Sequence, residues 1–94
     1  MFNTYEERKV DRIEPEDNNG VGVSTAWTVD EGYETALLDT NGVHPVERYP
    51  DLERAKIGHQ YWVGFAKNPD NNRVTKLGST YFGTPHDRIT LERY

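Results

Sequence analysis

The chain has no cysteine. That removes a disulfide framework and thiolate zinc sites, and it agrees with a reducing compartment. Long apolar runs are missing too. None approaches the roughly 18 residues of a membrane-crossing helix, and residues 1–20 contain no apolar core of the signal-peptide kind. The expectation is a soluble protein that does not engage a membrane. Positive charge is scarce: 11 Lys and Arg stand against 16 Asp and Glu, a net charge of −5. No Lys/Arg cluster breaks that balance, so general nucleic-acid binding is disfavoured. Hydrophobic residues make up only 34% of the chain and mean hydropathy is −0.91. Two Trp, six Tyr and three Phe nevertheless argue for a folded domain, because disordered chains are normally poor in aromatics. At 94 residues it makes a single domain, 1–94, with a thin core.

Residues 1–20 are polar and leave several readings open. Thr4 and Glu7 have capping-box spacing, Val10 and Ile13 suit a short edge strand, and a loosely ordered stretch fits as well. Glu14 to Gly20 carries Pro15, Asn18, Asn19 and Gly20, which break regular structure. Val21 to Val29 alternates as a strand, with Val21, Val23, Thr25, Trp27 and Val29 on one face. Gly32 closes a turn into a second strand, Tyr33 to Asp39. Asn41-Gly42 is a strong hairpin signal and leads into a third strand, Val43 to Tyr49. Pro45 cannot donate to a ladder, which puts this strand at an edge or gives it irregular pairing.

Asp51 to about Lys67 reads as a helix, capped by the Asp51 carboxylate and ended near Asn68 and Pro69. Leu52, Ala55, His59, Trp62, Val63 and Ala66 form its core face, which is expected to cross the sheet with Trp62 meeting Trp27. Gly58 and Gly64 each lower helix propensity by up to ~1 kcal/mol, so packing or a close approach must compensate. Arg73 to Phe82 reads as a strand with a defect at Gly78, Gly83 to His86 as a turn, and Asp87 to Tyr94 as a last strand. The fold class is therefore α+β in the order βββ-α-ββ: a three-stranded antiparallel meander, one helix packed across it, then two further strands.

The segments Val23-Ser24-Thr25, Tyr33-Glu34-Thr35 and Arg48-Tyr49, then Ala55 and Gly58-His59, give a pattern over residues 21–66. It resembles a family of small uncharacterised tailed-bacteriophage proteins. Ala36-Leu37-Leu38 departs from it, since many members carry Met-Val-Phe there. The resemblance implies a phage gene and no activity.

Catalytic signals are weak. His59 falls on the core face, and Glu34 or Thr35 on the neighbouring strand is a candidate hydrogen-bond partner. The three suit either an acid–base pair or a structural polar core, and the second is the simpler reading because no cleft or convergent group is evident. His44, His59 and His86 lack metal-ligand spacing, so no metal site is expected. Asp39-Thr40-Asn41-Gly42 lacks the later ligands of a calcium loop. Gly20 and Gly22 introduce a strand rather than a phosphate-binding helix, and Ser24 and Ser79 lie outside a nucleophile elbow. No cofactor is implied.

The informative feature is a second helix stripe. Ile57, Tyr61 and Phe65 recur every four residues on the side away from the core face, with Arg54 beside them. A lone helix over a sheet needs only one apolar side, and Tyr, Phe and Arg are common interface anchors. The chain's own termini would also fit over this stripe. The leading expectation is a non-enzymatic phage interaction protein that binds a host protein in the host cytoplasm and modulates it, with a homodimer as the other partner choice. The alternatives are a small-molecule (nucleotide-like) binder using Tyr33, Tyr81, Arg48 and Arg88, and a minor structural or accessory phage protein.

Overall fold

The computed structural model describes residues 8–78 and 87–94, and the order of elements is that of an α+β protein. The strands β1 (Lys9–Ile13), β2 (Gly22–Thr28), β3 (Gly32–Asp39) and β4 (Gly42–Tyr49) form one antiparallel sheet in the order β1-β2-β3-β4. The helix α1 (Leu52–Lys67) follows, and β5 (Arg73–Lys76) pairs with β6 (Asp87–Thr90) as a separate two-stranded ribbon. The expected meander thus gains a fourth strand. Residues 9–13 take the edge-strand option left open by Val10 and Ile13, with an irregularity between Lys9 and Asp11 that breaks their parity. Thr4 and Glu7 lie outside the described residues, as do Ser79, Tyr81, Phe82 and the turn through His86. Among the described residues no helix is long and apolar enough to cross a membrane.

β4 is the other edge of the sheet, and Pro45 sits beside a register shift. Thr35 opposes Glu47 while Ala36 opposes Pro45, so Val46 is the extra residue. A bulge brings consecutive side chains to one face. Val46 enters the core with Ala66 of α1, and Glu47 also reaches the helix.

Helix α1 begins as its sequence dictates. The Asp51 carboxylate accepts the Arg54 N–H at 2.9 Å, which serves one of the free first-turn amides. Ala55, His59 and Ala66 are buried against the sheet, while Trp62 and Val63 pack partly buried against the core of Val21, Val23 and Leu37. Leu52 departs from the expected core face. It is the first helical residue and is 40% exposed. Trp62 does not meet Trp27 as expected. Its ring neighbours are Tyr61 and Phe65, and Trp27 lies outside the core cluster.

The C-terminal end of α1 has no left-handed cap, since Asn68 is extended. Its carbonyls are served by side chains instead, from the following loop and from distant segments. Asn18 Nδ2 donates to Val63, Asn71 Nδ2 to Phe65, and Asn19 Nδ2 to Lys67. The Arg93 guanidinium donates to the carbonyls of Ala66, Asn68, Asn71 and Asn19 and to the Asn72 side-chain oxygen. A guanidinium has five N–H donors, so each of them is used.

A second polar clamp closes the β3–β4 hairpin. The buried Asp39 carboxylate accepts from the backbone N–H groups of Asn41 and Glu92 and pairs with His44 Nε2 at 2.8 Å. Burial alone would raise its pKa, but those donors outweigh it and hold Asp39 below the usual aspartate range.

Candidate functional site

The side chains that bear chemistry gather beneath and beside α1. Asp11 opposes Thr25, Thr25 opposes Thr35, and Thr35 opposes Glu47. One row of polar residues therefore crosses all four strands. Helix α1 lies over this row. His59 Nδ1 meets Thr25 Oγ1 at 2.7 Å, Thr25 meets Thr35, and the Tyr49 hydroxyl lies 3.0 Å from both Thr35 Oγ1 and Glu47 Oε1. Trp62 Nε1–H donates to the same Glu47 oxygen at 2.8 Å.

Counting protons fixes the direction of this chain. The four links from His59 Nδ1 to Glu47 need four protons. The hydroxyls of Thr25, Thr35 and Tyr49 supply three, and a carboxylate has none to give. His59 Nδ1–H must supply the fourth. The neutral ring is then the Nδ1–H tautomer, with each hydroxyl accepting from its His59-side neighbour and donating toward Glu47. The lone pair of Nε2 faces Asp11 Oδ2 at 3.8 Å, beside a small cavity of about 220 Å³ that Lys56 and Gln60 also line.

The electrostatics follow from burial. His59 is 2% exposed, and loss of water pushes its pKa below the ordinary histidine value, with the Asp11 charge opposing in part. Burial pushes the Tyr49 phenol well above its ordinary value. A lowered native pKa means the unfolded chain binds the proton more readily. His59 thus contributes stability that is fully present above about pH 6.5 and is lost as pH falls toward its native pKa. Histidine-selective ¹⁵N NMR should show the Nδ1–H tautomer at neutral pH and a midpoint below 6.5. An Nε2–H tautomer would contradict the proton count.

The three polar-core candidates separate. Thr35 joins His59 through Thr25, whereas Glu34 does not. Neighbouring strand residues face opposite sides, and Glu34 pairs instead with Arg48, Nε to Oε2 at 3.0 Å. Arg48 is also 3.5 Å from Glu31, so the arginine suggested for a nucleotide-like ligand is already held. Arg88 lies on β6 in the separate ribbon, and Tyr81 is outside the described residues. His44 joins Asp39 rather than His59, and among the described residues no three potential metal ligands gather.

The outer stripe of α1 divides as well. Ile57 is 71% exposed and Tyr61 61%. Phe65 is half-buried, stacked on Tyr61 and packed against the core, and so belongs partly to the fold. Arg54 is exposed and pairs with Asp51 at 3.3 Å. Arg54, Ile57 and Tyr61 form one side of an open groove of about 530 Å³ between α1 and the edge strand β4. Trp62, Tyr49, Glu47 and Gly58 complete it.

Nothing in the local sequence marks Glu47 or Tyr49 as site residues. Their position depends on the Val46 bulge, for which Pro45 was the only local signal. Gly58, costly to helix propensity, has its reason in the structure. A Cβ there would fall on the Tyr49 ring.

Comparison with family models, with curated proteins and with solved structures finds no match for this chain.

Proposed function

We propose that the chain is a non-enzymatic, phage-encoded interaction protein that binds a host protein in the host cytoplasm and modulates it through the groove between α1 and β4. One observation carries this reading. Ile57 and Tyr61 stand 71% and 61% exposed at the rim of a groove with aromatic walls. Single exposed apolar residues are ordinary, but neighbours flanking a concave aromatic surface mark contact sites. The buried network supports a non-catalytic role. His59 Nδ1 and the Thr25 hydroxyl are each committed to a structural link, which leaves no activated nucleophile beside the imidazole. The phage source rests on the resemblance over residues 21–66, and the absence of cysteine suits the cytoplasm.

A photo-crosslinking side chain at Ile57 should capture a defined host polypeptide in cell lysate. The same group at Val29, exposed on the β2–β3 turn, should not. Tyr61→Glu should remove the crosslink while leaving the fold intact, because Tyr61 is largely exposed. Equal capture from both positions, or a product of twice the chain's mass, would count against a host protein at this groove.

A further inference from the structure

The walls of the groove say what kind of side chain it takes, granted that it is a protein-binding surface. Tyr61 and Trp62 meet at right angles, with ring centroids 5.2 Å apart and an interplanar angle of 87°. The Tyr49 ring lies against Gly58 and contributes a third aromatic surface. Aromatic faces carry negative electrostatic potential, and perpendicular rings around a hollow are the arrangement that holds organic cations.

A carboxylate stands among these rings. The Tyr49 hydroxyl and the Trp62 indole both bond Glu47 Oε1, and Oε2 has no described hydrogen-bond partner. The two donors fix the orientation of the carboxylate and leave one oxygen for a ligand. The groove's own cation does not fill the place. Arg54 turns to the N-cap and pairs with Asp51 at 3.3 Å. The net charge of −5 adds a long-range attraction for a basic partner.

We propose that the groove seats the basic side chain of a partner protein, arginine or lysine, with its charge on Glu47 Oε2 and its stem across Tyr61 and Trp62. A partner segment fits better than a free small cation because Ile57, 71% exposed, continues the apolar rim beyond the aromatic corner. A lone ion would leave it in water, whereas the residue next to the basic side chain covers it. Arginine is expected to bind more tightly, since a planar guanidinium stacks on rings and also donates to a carboxylate.

The indole N–H signal of Trp62 reports directly on the Glu47 carboxylate. It should shift saturably as acetyl-arginine amide or acetyl-lysine amide is added. Acetyl-citrulline amide, which has the shape of arginine without its charge, should bind roughly five-fold more weakly. Glu47→Gln should narrow that preference to what the rings alone supply, and Tyr61→Ala, at an exposed position, should weaken both cations with the fold retained. Citrulline binding as well as arginine would overturn the proposal, as would choline binding more tightly than either amino-acid probe. If the probes fail while the Ile57 crosslink persists, only the cationic assignment falls. If the crosslink fails while the arginine probe binds, the groove is a cation site and the protein-binding reading falls.

Discussion

Gly58→Ala is expected to destabilise the protein by roughly 3 kcal/mol, against the helix propensity gain of up to ~1 kcal/mol that the same change normally brings. The added methyl would fall on the Tyr49 phenol. Tyr49 is 8% exposed, and its hydroxyl lies between Thr35 and Glu47, so it cannot move aside without breaking the polar row beneath α1. The helix would have to lift instead, which opens the contact of His59 with Thr25. Gly64 provides an internal control. Beyond the adjoining helix backbone, no atom of the described residues lies within 4 Å of its hypothetical Cβ, so Gly64→Ala should stabilise by up to ~1 kcal/mol. Urea denaturation of the two variants should therefore give opposite signs on one helix. In a Tyr49→Ser background the Gly58→Ala penalty should largely vanish, because the obstructing ring is gone. A penalty that survives in that background would mean that Tyr49 is not the cause.

The helix, its cap and the inward faces of the strands are legible in the sequence because each depends on residues a few positions apart. Asp51 caps Arg54, Val21 alternates with Val23 and Thr25, and Ala55, His59 and Ala66 repeat at helical spacing. Features set by register are not legible in this way. Glu34 and Thr35 are adjacent, and only the pairing of Thr35 with Thr25 decides which one faces His59. The same limit hides Glu47, whose approach to Trp62 follows from the Val46 bulge. The groove is half legible for this reason. Its helical side, Arg54, Ile57 and Tyr61, repeats with a period that the sequence displays. Its strand side, Glu47 and Tyr49, does not.

The most distant interactions are the least legible, and the end of α1 is where this has the largest energetic consequence. Asn18, Asn19 and Asn71 look like loop breakers in the sequence, and Arg93 looks like one charge near the end of the chain. Together they bond carbonyls of the last turns of the helix, those of Val63, Phe65, Ala66 and Lys67. Arg93→Ala should therefore cost about 2–3 kcal/mol, a large share of the stability of a domain this small. The cost is no larger because several of these bonds are exposed, and water replaces part of the lost bonding. Arg93→Lys should recover only a fraction, since an ammonium offers three donors from a single point and cannot reach Asn72, Ala66 and Asn71 at once. The loss should also be local in character. The Leu91 amide bonds Asn72 and the Tyr94 amide bonds Gly20, so removal of the guanidinium frees the C-terminal segment first. Hydrogen exchange should accelerate at Leu91, Tyr94 and the last turn of α1 well before it does at Val23 and Leu37 in the core. Uniform acceleration across the sheet, or full recovery by lysine, would mean that Arg93 acts as a general surface charge rather than as the cap of the helix.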